Sequence, residues 1–573
     1  MVTFRELNKK VSFGNTAVRS LFTTSLLMLL VTYVSTIAST IIAGNIVGED
    51  ALCAVNLVSP LYNYATFFAG MIGIGGSLMY FRYLGAYKKD RANEIFSQSI
   101  ILAITIGAIL FIAMTIGKNI FINSLEVSEE IRKEAQAFWT FEKCLIFLAP
   151  IDFLLFELLY TDTRRCIIAN VVFFTVGIGS SIIFTSLYGT IGTSLGMALG
   201  TLLCDLVLCS HFISNKNDFS FKFHFSWSDL IDICKLSLVD ASTYLDSGML
   251  ITLINRYTIN HFSVSTLPIT AVMITILDAV VIFDSVGSAL APVAEIYLGE
   301  GNNNDEKDTA KYSLLLAIAF GLVVSLALII VAPNIPKFFG LTDSKQIAST
   351  TTALRLFAPS MLFYSISYML ISHYIAIRKI RIAIAFEWTK AYILPSICIF
   401  IFGRLFDYNG VWGSFVLAEL LTVIIFVLGI KKISKNNNSI WLLEDNNYPT
   451  FSRSYIIEEN TFVSARDDIE SFLKQHKVKK NTVIKIMMVV EDMTNLIFNH
   501  NYGKRVVIQY TVFIKDDGIY LYERDNGEIY DLTNSDMDIS DFREYIFSCV
   551  IDSCDNKRYL MAIDYNRSVF CFK

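Results

Sequence analysis

Four aspartates stand where the chain is otherwise apolar: Asp240 and Asp246 in LSLVDASTYLDSGMLITLI, Asp278 and Asp284 in ITILDAVVIFDSVGSALA. A carboxyl group out of water has two useful chemistries. It can hold a proton, or it can bind a small cation. At about 1.5 Å rise per residue, Asp246 and Asp278 fall near the middle of their runs. Asp240 and Asp284 fall nearer one end, and the two runs are antiparallel, so the acids pair by depth. If the two helices are neighbours, facing carboxylates would share a proton or hold Na⁺ between them. The expected ion site is therefore Asp246, with Asp278, Asp284 and Asp240 around it. The plainer alternative is that these acids are hydrogen-bonded residues lining a wet cavity. Asp152, Glu157 and Asp205 lie toward the ends of their runs and read as structural or cavity-lining. Glu387 and Lys390, three apart on one helix, can satisfy each other.

The elements that carry these acids are long and apolar. Of 573 residues, 54% are hydrophobic and 17% charged, which describes an α-helical polytopic membrane protein. Apolar runs able to cross a bilayer core of ~30 Å occur twelve times, near 18–43, 52–80, 95–117, 137–160, 166–186, 190–213, 231–255, 266–293, 311–332, 353–377, 381–403 and 410–431. Basic residues alternate between the gaps. Arg5, Lys9 and Lys10 precede the first run; Arg82, Lys88, Lys89 and Arg91, then Arg164 and Arg165, then Lys216 and Lys222 lie in even gaps. Lys307 and Lys311, Arg378, Lys379 and Arg381, and finally Lys431, Lys432 and Lys435 continue the series. The intervening gaps are poorer in Lys and Arg, so both termini are expected in the cytoplasm of the cell membrane. The net charge of −5 argues against a nucleic-acid partner. The ten cysteines are scattered, and none forms a CxxC pair; they read as small buried side chains.

The chain repeats itself. YLG at 83–85 recurs at 297–299, and at the same offset SIILAITIG at 99–107 recurs as SLLLAIAFG at 313–321. Ala149–Pro150 recurs as Ala358–Pro359, and Gly189 with Gly192 as Gly410 with Gly413. Two six-helix halves follow, residues 1–220 and 221–432. Duplicated halves usually enclose a substrate path and rock against each other.

The stretches AGNIVGEDALCAVNLVSPLYNY and GIGGSLMYFRYLGAYKKDRANE, and SVGSALAPVAEIYLGEGNNNDE in the second half, resemble the multidrug and toxic compound extrusion family. The resemblance covers about residues 15–431. It implies export of small cationic or amphipathic compounds in exchange for Na⁺ or H⁺, with no enzymatic activity and no resident metal. It also places an acid where Asp246 stands, and makes it the ion-coupling residue. The dense aromatics, 44 Phe and 27 Tyr, suit such substrates and equally suit lipid-facing positions. The first half departs from the pattern. The acid expected five residues before a glycine is Ser39, before Gly44, and the polar pair expected in the fifth helix is Ser181 and Thr185. These three are expected along a first-half substrate path, or as helix-packing groups. A flippase for lipid-linked substrates, which shares the superfamily, and a membrane sensor that has lost transport are the competing readings.

After an Asn-rich linker, 433–450, residues 451–573 read as a separate α/β sandwich on the cytoplasmic side. Helices are predicted at 464–476 and 482–500, strands at 505–514 and 518–525 joined by KDDG, and two more strands at the end. The order resembles the ATP-binding domain of histidine-kinase-type ATPases, in particular anti-sigma-factor kinases. The resemblance implies that Glu491 and Asn495 once served Mg²⁺, and that Asp525 and Gly527 once held adenine. The glycine-rich phosphate lid of that family is missing. DISDFREYIFSCVIDSC stands instead, with Asp536, Asp538 and Asp541 set to repel phosphate. The expectation is a vestigial site, with hydrolysis lost and ATP and Mg²⁺ binding left open, on a tail that regulates or docks a cytoplasmic protein.

Overall fold

The computed structural model describes residues 12–85, 88–159, 162–213, 219–222, 224–434, 439–446, 448–458, 461–528, 550, 554, 556–562 and 565–573, apart from the side chains of 28, 31, 32, 35, 36, 84, 85, 163, 239, 240, 556 and 559–562. The acidic segment carrying Asp536, Asp538 and Asp541, the basic N-terminus and the Asp240 side chain lie outside the described set.

Helix dominates to residue 433. The rods are α1 (Phe13–Ile46), α2 (Glu49–Gly85), α3 (Lys89–Asn123) and α4 (Glu129–Leu158). Rod α5 runs from Thr163–Val172 through a π turn, Phe173–Ile178, into Gly179–Tyr188, and α6 is Thr190–Cys209. Next come α7 (Trp227–His261) and α8, which joins Leu267–Asp278 to Asp284–Glu300 by a 3-10 turn. Rod α9 is Asn303–Val331, and α10 bends by 45° between Ser344–Phe357 and Ser360–Ala376. Rod α11 joins Ile380–Trp388 to Leu394–Leu405 by a π turn, and α12 is Asp407–Ile433. Among the described residues eight helices are long and apolar enough to cross a membrane, or nine with the bent α10. Rods α1, α4 and α7 are not among these.

Small residues bring the rods together. The chain reverses between α5 and α6 at Gly189, whose φ of 65° favours glycine. Beyond it Gly192, Gly196 and Gly200 face α5 so closely that a side chain on any of them would meet the α5 backbone. Rod α2 lies along α7, where Ser237 Oγ donates to the Met71 carbonyl at 2.8 Å and Tyr64 and Thr252 hydroxyls meet at 2.9 Å. At the end distal to the sheet the loops are cross-tied: Asn45 Nδ2 donates to the Phe338 carbonyl at 2.8 Å, and Arg256 donates to the Ser124 carbonyl at 2.9 Å.

The C-terminal part is an antiparallel sheet of order β1-β2-β3-β5-β4, with β1 Thr450–Ile456, β2 Val507–Lys515, β3 Gly518–Asp525, β4 Asn556–Ala562 and β5 Tyr565–Phe572. Helices α13 (Thr461–Gln475) and α14 (Lys480–His500) cover one face, packing Ile469, Leu473, Ile486, Val490 and Met493 on Tyr510, Val512 and Leu521. The other face meets the helical bundle. Strand β1 was not among the predicted elements.

The joint between sheet and bundle is polar and buried. Glu300 at the end of α8 is fully buried and pairs with Arg524 of β3 and, at 2.8 Å, with Arg567 of β5. Asp305 accepts from Ser452 at 2.5 Å and Gln509 at 2.9 Å, and Tyr297 donates to Gln509 at 3.0 Å. Glu306 and His373, both fully buried, are 3.0 Å apart. The start of α1 joins in, with the Phe13 amide donating to Ser454 Oγ at 2.9 Å.

Candidate functional site

A cavity of about 460 Å³ lies inside the first half, with α8 as one wall. Each rod contributes at its own level. Rod α1 brings Ser39 and Thr40, α2 Asn56, Tyr62 and Asn63, α4 Glu142, Asp152 and Glu157, α5 Asn170, α6 Thr201 and Cys204, and α8 Thr275 and Asp278. Four carboxyls line it, and no Lys, Arg or His stands among its lining residues. Asp205 lies against Asp152, and Cys204 Sγ approaches Asp152 at 3.9 Å. Tyr62 is within electrostatic reach of Asp152, Glu142 and Asp205. Two carboxyls in contact bind a proton or a small cation between them, since water is not there to separate them. Such a cavity attracts cations: one carboxylate about 4 Å from a monocation is worth roughly 4 kcal/mol at an effective dielectric of ~20.

Of the four aspartates expected at the ion site, the three whose side chains are described divide between two places. Asp278 faces the first-half cavity, beside Tyr33, whose hydroxyl donates to the Thr275 carbonyl at 2.9 Å. Asp246 is 1% exposed and sits in the second half with Glu387 and Lys390. Asp284 also lies in the second half, accepting from Ser288 at 2.8 Å and Ser372 at 3.3 Å. Asp246 and Asp278 are thus in different clusters, and the 3-10 turn of α8 separates Asp278 from Asp284. Lys390 and Glu387 are 3.1 Å apart, as their spacing predicts.

Of the three first-half hydroxyls, Ser39 lines the cavity. Ser181 is fully buried and donates to the Thr193 carbonyl at 3.0 Å, and Thr185 meets the Thr193 hydroxyl at 2.9 Å. Both tie α5 to α6, the packing alternative. Glu142 was missed by the sequence reading. Its signal was present, as an acid in the apolar run WTFEKCLIFLAP.

In the tail, Asp525 is 1% exposed and its Oδ1 already accepts from the Gly527 amide at 2.7 Å and Asn566 at 3.1 Å. Gly527 packs on Asn501. Burial raises the Asp525 carboxyl above its ordinary range, and burial followed by the Asp525 charge raises Glu523 well above its own. Glu491 lies 3.8 Å from Arg466, and Asn495 is one turn further along α14.

Long apolar helices around an acid-lined hollow define a multi-pass membrane transporter. The MatE family model matches residues 25–185 and 248–388, and the chain belongs to the MatE family. No curated protein is similar enough to count as a relative. Among solved structures, the inward-facing conformation of a multidrug resistance MATE family transporter of the MOP superfamily superposes with a TM-score of 0.65, at 19% identity over 70% of this chain and 94% of the other. The outward-facing conformation gives 0.60 over 74% and 96%, also at 19% identity. A MOP superfamily transporter from Pyrococcus furiosus, described as having a binding pocket of reverse polarity, gives 0.61 at 19% identity over 76% and 99%. At this identity the likeness is one of fold.

Proposed function

We propose that the protein exports small cationic or amphipathic compounds across the cell membrane, with Na⁺ or H⁺ moving the other way. The observation that carries this is the cavity: Glu142, Asp152, Glu157 and Asp278 line it, with Tyr62, Phe153 and Phe156 among them and no basic side chain among the lining residues. Carboxylates supply charge complementarity, and the rings supply apolar and cation–π contact. In this reading the twelve rods are twelve spans in two six-helix repeats, 1–220 and 221–432, followed by a linker at 433–450. Both termini and the domain 451–573 lie in the cytoplasm. Asp246, with Asp284 near it, serves ion coupling, while Asp278 serves from the cavity wall. The tail regulates transport through its joint with α1, α8, α9 and α10, and has lost nucleotide chemistry.

A flippase for lipid-linked pyrophosphates would need basic side chains facing the path, and the lining residues offer none. The test is ethidium flux in proteoliposomes under an imposed Na⁺ or pH gradient. Gradient-driven ethidium movement, lost in a Glu142→Gln, Asp152→Asn double variant, is expected. Flux equal to that of empty liposomes under both gradients overturns the transporter reading and favours the sensor.

A further inference from the structure

Lys390 stands in the second half among four carboxyls: Asp246 on α7, Asp284 on α8, Glu387 on α11 itself and Glu419 on α12. It is 2% exposed, in the π turn Thr389–Ile393. Its ammonium is 3.1 Å from Glu387 Oε2 and 3.5 Å from the centre of the Tyr368 ring. It makes the ion pair without an aligned hydrogen bond. Around it, Asp246 Oδ2 and Glu419 Oε1 are buried and have no hydrogen-bond partner among the described residues, although Glu419 Oε2 accepts from Ser367 at 3.3 Å. Unpartnered buried carboxylate oxygens are costly. Among the described residues the ammonium is the one cation beside them, and it sits over an aromatic face as a free organic cation would. The extra residue of a π turn is a device for re-aiming a side chain, and it turns Lys390 into the cluster.

We propose that Lys390 is a tethered cation filling a monovalent-cation subsite in the second half, so that Na⁺ does not bind at Asp246 and a small primary ammonium is the subsite's matching ligand. The inference rests on the reading of Asp246 as a coupling residue and narrows it: the second half exchanges protons or carboxylate partners around Lys390, and a diffusible cation acts at the first-half cavity. Size supports the assignment. An alkylammonium donates three N–H groups to several oxygens and stacks on Tyr368, and removal of the lysine side chain beyond Cβ leaves room for methylammonium in the same place.

The test uses the purified full-length protein in lipid nanodiscs, followed by thermal unfolding and by ²²Na⁺ binding. Ionic strength is held constant with choline, Na⁺ or methylammonium. Wild type and Lys390→Arg are expected to respond alike to the three salts, any shared response belonging to the first-half cavity. Lys390→Ala is expected to gain, beyond the wild-type response, a saturable rise of several degrees in methylammonium or Na⁺, of the size given by ligand at about 100 times its dissociation constant. Glu387→Gln on the Lys390→Ala background is expected to abolish that rise. Lys390→Met, which keeps the stem volume, serves if the alanine variant does not fold; there ²²Na⁺ binding that depends on Asp246 is the readout. Two results overturn the proposal. One is a Lys390→Ala or Lys390→Met protein no more responsive to Na⁺ and methylammonium than wild type. The other is a wild-type protein whose ²²Na⁺ binding disappears in Asp246→Asn. Neither readout involves transport, so failure of ethidium flux leaves this test intact.

Discussion

The joint between sheet and bundle makes the most exacting prediction. Glu300 is fully buried and faces two guanidinium groups, those of Arg524, itself 2% exposed, and Arg567. Glu300→Gln keeps the shape and one acceptor but removes the only carboxylate paired with these arginines among the described residues. A buried and a partly exposed guanidinium are then left without their carboxylate. Breaking one side of a buried pair costs about 3–5 kcal/mol. Arg524 retains the Tyr297 ring at 5.0 Å and Gln509 at 3.0 Å, which recovers about 1 kcal/mol. A net loss of about 2–4 kcal/mol raises the opening equilibrium of the joint by roughly thirtyfold to a thousandfold. Hydrogen exchange of the full-length protein reads it directly, as faster exchange in peptides spanning 519–526 and 565–572, with α3 unchanged as internal reference. A triple variant, Glu300→Leu, Arg524→Met, Arg567→Met, removes the charges together and is expected to exchange more slowly than Glu300→Gln, because apolar replacement of a whole buried cluster is often neutral. Exchange in Glu300→Gln within about threefold of wild type would show that the joint opens elsewhere first and that this cluster does not hold it.

Other perturbations follow from the same geometry. Glu142→Gln is expected to weaken ethidium flux by about tenfold, less than the full Coulomb term because three other carboxyls remain, while unfolding temperature stays level or rises. Ser181→Ala is expected to lower stability by about 0.5–1 kcal/mol in thermal unfolding and to leave flux unchanged, since its hydroxyl ties α5 to α6. Glu523 has its native carboxyl raised above its ordinary 4.5 by burial first and Asp525 second. The native state therefore binds more protons than the unfolded one above pH 4.5, and stability falls as pH rises through that window. Exchange protection of β2 and β3, corrected for intrinsic rate, should drop between pH 5 and 8; Glu523→Gln should flatten most of that slope, the remainder belonging to Asp525. Radiolabelled ATP with Mg²⁺ should not bind the full-length protein, because Asp525 is already engaged by Gly527 and Asn566; binding lost in Asp525→Asn would refute this.

What sequence could and could not show follows from which coordinate of a helix it fixes. Rise per residue is nearly constant, so position along a rod is legible. Azimuth is set by which neighbour a rod packs against, and the Asp246 of α7 turns toward α11 while the Asp278 of α8 turns toward Tyr33 of α1. Local pairs escape this limit. Glu387 and Lys390 were legible because an i,i+3 spacing puts both on one face whatever the partner. The same limit explains the tail. Strands β2 and β3 announce themselves through the Asp516–Asp517–Gly518 turn and their own alternation, whereas β1 gains its identity only from pairing with β2, Thr450 opposite Phe513 and Ile456 opposite Val507. Its short polar sequence carries no signal of that distant partner. The alternation along β3 carries a consequence that its motif hid. Asp525 and Glu523 turn toward the α14 side, whereas Arg524 between them turns through the sheet to Glu300. The residue read as an adenine ligand and the residue that clamps the bundle are thus neighbours on one strand. A change of occupancy on the helix-covered face would shift Arg524 by the same backbone movement, so the tail's influence on α8 needs no catalytic activity.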